Sequence, residues 1–115
     1  MDETTERVET LKTDRTKIDP DNVVFSYDRE SDSLVIHLYG RGIPAVSILV
    51  TDELMLRWDR AAKRAVGLQI NHFLSKVVLE HPEMIDALDV AELRGINPEE
   101  IGQIRRDLAQ RRRRD

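Results

Sequence analysis

A chain of 115 residues, 40% apolar and 35% charged, is long enough for one domain built around one core. It has no cysteine, which excludes a disulfide framework, a thiolate zinc site and a cysteine nucleophile. Its longest nearly apolar run, Ile43 to Val50, contains Pro44 and Ser47 and falls far short of the ~20 residues that a membrane-spanning helix requires.

The net charge of −4 is unevenly spread. Residues 1 to 21 carry seven acids against four bases, or −3, while residues 105 to 115 carry six arginines against two aspartates, or +4. Such polarity allows head-to-tail contact between chains or an anionic partner at the basic end. The opening Met1-Asp2-Glu3-Thr4-Thr5-Glu6-Arg7 is polar and acidic, unlike a secretory signal, and with the missing cysteines it points to the cytoplasm.

Residues 1 to 21 read as a flexible polar leader in which Val8, Leu11 and Ile18 are the only larger apolar side chains. Asp19-Pro20-Asp21-Asn22 is a turn signal, and five strands with period-two apolar alternation follow. They place Val23, Phe25 and Tyr27; Leu34, Ile36 and Leu38; Val46, Ile48 and Val50; Leu54, Leu56 and Trp58; and Val66, Leu68 and Ile70 on one face. Strands in this order specify a five-stranded antiparallel meander, whose apolar face must be covered.

After Asn71, a plausible N-cap, the period becomes helical. Phe73, Leu74, Val77 and Val78 form the covering face, so residues 22 to 80 read as sheet plus helix. Residues 81 to 115 read as a helical extension. Pro82 opens a second helical stretch whose apolar stripe is Met84, Ile85, Leu88 and Leu93, and one helix or two fit it equally. Gly95 reads as a helix stop. Asn97-Pro98-Glu99-Glu100 has the cap, N1 proline and acidic first turn of a helix start in the right order. The stripe Ile101, Ile104 and Leu108 on that last helix needs a surface to lie on. The fold class expected is therefore α+β, with the C-terminal helices packed on the body or exchanged between subunits.

Tyr27-Asp28-Arg29-Glu30-Ser31-Asp32-Ser33-Leu34-Val35-Ile36-His37-Leu38, with Asp59 and then Ala65-Val66-Gly67-Leu68-Gln69-Ile70 further on, resembles a family of small bacterial and archaeal proteins, domain of unknown function 2283. The resemblance covers residues 24 to 79. It departs from the family pattern at Ala61-Ala62, where the late turn usually has glycine, and at Gln69, where an acidic residue is common. It implies a β-meander with a helix and carries no established activity or catalytic residues. Some members are encoded beside small toxin-like proteins, which implies an antitoxin-like role as an alternative.

No motif points to catalysis. Asp28, Glu30 and Asp32 alternate like the start of a calcium loop, but position six would be Ser33 and position twelve Tyr39, so a structural turn is the reading. His37, His72 and His81 lack zinc-ligand spacing, and no nucleophile pairs with them in the sequence. No cofactor is expected. The second sheet face, with Val35, His37 and Tyr39, is mixed and partly apolar, and invites either another copy or the C-terminal helices. Arg111, Arg112, Arg113 and Arg114 could neutralise phosphates, yet a pI near 5.4 and 4% aromatic residues favour a solvated helix end. The function expected is a non-catalytic protein-interaction module, a homodimer, with Ile101, Ile104, Leu108, Val35, His37 and Tyr39 as contact residues. The alternatives are an antitoxin-like partner and nucleic-acid binding through the arginine tail.

Overall fold

The computed structural model describes residues 18 to 114, with side chains through Arg111. A 3-10 turn at Pro20–Asn22, capped by the Asp19 carboxylate on the Asp21 N–H, leads into β1, Val24–Asp28. There follow β2, Ser33–His37; β3, Val46–Leu49; β4, Leu54–Asp59; and β5, Arg64–Ile70. Phe73–Val77 is wound as a π-helix that continues into a short α1, Val78–Glu80. A 3-10 segment, Pro82–Asp89, then β6, Glu92–Arg94, and the long α2, Pro98–Arg114, follow.

The α+β class holds, but the five-stranded antiparallel meander does not. Among the described residues the sheet has six strands in the order β3-β4-β5-β2-β1-β6 and is mixed, because β6 pairs parallel to β1. It is built from a hairpin, β1-β2, and a three-stranded meander, β3-β4-β5, joined where β5 docks antiparallel on β2. Residues 38 to 45 must therefore carry the chain past β5 and β4 to the far edge. Three strand spacings are only about 14 Å, well within the reach of eight residues.

Strand direction also decides where the helices lie. β5 is antiparallel to β2, and β2 to β1, so β5 runs parallel to β1 and to β6. Two parallel strands of one sheet need a crossover over its face, and the segment from Phe73 to Asp89 is that crossover. It lies over the strands between its ends, β2 and β1. Its side chains form the core there: Tyr27 and Leu34 from the sheet, Phe73, Leu74, Val77 and Val78, then Ile85 and Leu88, with Ile96, Ile101 and Leu108 closing it. Tyr27, Leu34, Phe73 and Val78 are all but inaccessible, and the rings of Tyr27 and Phe73 lie 5.8 Å apart.

Asp32 locks this layer to the sheet. It sits in the left-handed region, φ 51°, at the end of the β1-β2 turn. Its carboxylate accepts the Tyr27 hydroxyl at 2.6 Å and the Leu74 and Ser75 N–H groups at 2.9 and 3.1 Å, while its carbonyl accepts the Phe73 N–H at 2.9 Å. The helix start is thus capped by a residue some 40 positions upstream. Asn71, expected as the cap, instead uses its side-chain oxygen to accept the Ser33 hydroxyl and the Gln69 amide. The residue before the helical turn is His72, itself left-handed and without a side-chain cap bond.

Two further local expectations change. Leu93 belongs to β6 rather than to a helical stripe, and Gly95, φ 77°, turns the chain after that strand instead of ending a helix. Asn97 does cap α2, accepting the Glu100 N–H at 2.9 Å.

Candidate interaction surfaces

On the outer face of the sheet, period-two alternation and the strand registers align two rows. One is Ser26, Val35, Gln69, Met55 and Leu49; the other is Val24, His37, Gly67, Arg57 and Ser47. Gly67 is required at its place, since a Cβ there would lie 2.6 Å from the Ile36 carbonyl oxygen. The Arg57 stem covers the gap, and burial, followed by the nearby Arg57 and Arg41 charges, holds the His37 imidazole below its ordinary pKa. His37 is therefore neutral at pH 7, with Nε2 3.4 Å from the Ser26 hydroxyl. Tyr39 carries the Arg64 guanidinium 4.1 Å above its ring. Val35, His37 and Tyr39 thus lie on a face where polar and cationic groups predominate.

A cleft of about 350 Å³ opens on this face between β1, β2 and β6, with an Arg41–Glu92 ion pair at its side. Two of its polar side chains are held from behind: the Ser33 hydroxyl donates to the Asn71 side chain at 3.1 Å, which also accepts from Gln69 at 2.9 Å. Four acidic residues at the strand ends and turns are occupied as well. Asp28 accepts the Glu30 N–H, Asp32 caps the helix, Asp59 accepts the Ala61 and Ala62 N–H groups, and Glu53 pairs with Lys76. Among the described residues, no three His, Cys, Asp or Glu side chains are grouped to hold a metal ion, and no helix is long and apolar enough to cross a membrane.

On α2, Ile101 and Leu108 are buried in the core of their own chain, and Ile104 packs against it. Arg105 fixes the helix further by donating to Asp86 at 3.1 Å and Asp89 at 2.8 Å in the 3-10 segment. Arg111 is exposed near the helix end; the side chains of Arg112, Arg113 and Arg114 lie outside the described residues.

The inner face carries the surface that pattern reading missed. Phe25, Ile36, Leu68, Leu56 and Ile48 are cross-strand neighbours in one continuous row, running from under the helices to the β3 edge. Every member is only partly buried, as are Val46 and Leu54 beside them, because the helical layer buries the Tyr27-Leu34 end of β1 and β2 and stops short of β4 and β3. Trp58, Ala65 and Val66 are buried at the bulged end of the β4-β5 pair. Leu49 and Val50, at the end of β3, are 64% and 56% exposed. The alternation placed these side chains on the correct face; strand order, which it does not encode, leaves them uncovered.

No protein-family model matches the chain, and neither a curated protein nor a solved structure matches it significantly.

Proposed function

We propose that the chain is a non-catalytic protein-interaction module that works as a homo-oligomer in the cytoplasm, and that its working surface is the β3 flank of the sheet, where the partly exposed inner apolar row reaches an edge strand. One observation carries this reading: the apolar row through Ile36, Leu68, Leu56 and Ile48 continues past the helical layer to an edge strand with exposed Leu49 and Val50. A contiguous apolar surface of this kind is stabilised by removal from water, at about 25 cal/mol per Å² buried. It favours a protein partner over nucleic acid, since aliphatic side chains offer phosphate nothing. The antitoxin-like alternative rests on the family resemblance, with the acidic leader as the segment that would meet a small basic toxin, and the nucleic-acid alternative on Arg111 to Arg114. Membership of the domain of unknown function 2283 family is likewise proposed, on the Tyr27 to Leu38 motif.

Sedimentation equilibrium tests the reading. The full chain should self-associate, and Ile48→Lys, which puts a charge where the apolar row reaches the β3 edge, should weaken association at least tenfold while the circular dichroism spectrum is kept. A chain that stays monomeric at high concentration contradicts it.

A further inference from the structure

We infer that β3 is the contact strand, and that a second copy of this chain adds its own β3 antiparallel across a two-fold axis, with Ile48 opposite the partner's Ile48 and Ser47 opposite the partner's Leu49. The inference rests on the self-association proposed above and assigns it a strand and a register.

Hydrogen bonding supplies the first argument. The Val50 N–H donates to the Leu54 carbonyl at 2.9 Å, and in an antiparallel ladder such pairs recur at every second residue. With Ile48 opposite Leu56 and Val46 opposite Trp58, the backbone groups of Val46, Ile48 and Val50 face β4. Those of Ser47 and Leu49 then point away from the sheet. Each is a donor and acceptor that another strand can take.

Exposure supplies the second. Leu49 shares the outer face with Met55, whereas Val50, one residue on, belongs to the inner face. Packing of two inner faces against each other would cover Val50 and leave Leu49 in water. Lateral addition of a strand puts neighbours beside both.

Charge supplies the third and names the occupant. No residue from Gly42 to Thr51 is charged, in a chain where 35% of residues are. The opposite edge, β6, has only three residues, two of them Glu92 and Arg94, the pattern by which sheets block pairing. A two-fold antiparallel pair sets a short segment against itself, so a charge in it meets its own kind close by; β3 presents none. The register follows. Ser47 and Leu49 exchange hydrogen bonds across the axis, four in all, Val50 falls beside the partner's Val46, and the inner apolar row continues through Ile48 into the partner's. A slip by two residues toward Thr51 would need its N–H, which already donates to the Leu54 carbonyl at 3.1 Å.

The test uses the full chain. Ser47→Pro removes an outward N–H and leaves the β3-β4 ladder intact, so it should weaken dimerisation at least tenfold in sedimentation equilibrium without changing the circular dichroism spectrum. Ile48→Cys, in a chain with no other cysteine, should form a disulfide-linked dimer on mild oxidation, because closely spaced antiparallel pairs bring Cα atoms to about 4.5 Å, within disulfide range. Thr51→Cys should not, its two copies being roughly 20 Å apart in this register. If Ser47→Pro associates like the parent and Ile48→Cys cross-links no faster than Thr51→Cys, the β3 pairing is overturned while self-association stands. A monomeric parent chain overturns both.

Discussion

Phe73→Ala should destabilise the fold by about 4 kcal/mol, the scale on which deletion of a buried aromatic leaves a cavity that its surroundings only partly fill. Phe73 has no accessible surface, and its ring packs against Tyr27, the larger of the two buried sheet side chains beneath the helical layer. It is also the first residue of the crossover, so its loss loosens the point where the helical layer meets the sheet. A domain of this size has roughly 5 to 15 kcal/mol in total, and the variant should lie near the limit of stability. Urea unfolding followed by fluorescence reads the change as a shift in midpoint at constant slope. A loss below about 1 kcal/mol would show that Phe73 is not the keystone of that contact.

Asp32→Ala should cost about 3 kcal/mol, combining a lost N-cap, a buried hydroxyl left without its acceptor and an alanine held at positive φ. Asp32→Asn should cost less, since asparagine tolerates the left-handed backbone and keeps one acceptor oxygen. The pair also differs in pH response. Burial pushes the Asp32 carboxyl up, but the hydrogen bonds from Tyr27, Leu74 and Ser75 together outweigh it and hold the carboxyl below its usual 3.8. The folded chain then binds fewer protons at Asp32 than the unfolded chain. Its stabilising contribution is complete above the unfolded pKa and disappears as pH falls from about 4 through the folded pKa. Asp32→Asn should flatten that part of the acid unfolding curve, as measured by urea midpoints over the acid range. An unchanged curve would mean that the carboxylate charge is not what the helix start requires.

Local chemistry made much of the molecule legible. The first five strands follow from alternating Val, Ile, Leu and Tyr, and the α2 start follows from Asn97, Pro98 and two glutamates, because in each case the determinants lie within a few residues of what they determine. Non-local pairing was not legible. Nothing near Ile70 announces that β5 docks on β2, and that one pairing breaks the expected meander, while the parallel pairing of β6 with β1 makes the sheet mixed. Glu92-Leu93-Arg94 is too short to show a period, so the sequence pattern sets Leu93 in a helical stripe rather than in a strand. The Asp32 cap was hidden for the same reason: its partners at Leu74 and Ser75 lie more than 40 positions away, although an aspartate ending a polar turn was visible. The candidate surface shares this history. Alternation sets Ile48, Leu54 and Leu56 on the inner face, yet only the crossover geometry shows that the helices lie over β1 and β2 and leave those residues partly exposed.

Backbone amide exchange on the full chain, compared between dilute and concentrated samples, tests the account most directly. The N–H groups of Ile48 and Val50, bonded to β4, should be protected in both, while those of Ser47 and Leu49 should exchange fast when dilute and become protected as concentration rises. Fast exchange at Ser47 and Leu49 at every concentration would contradict the claim that this edge is closed by a second copy.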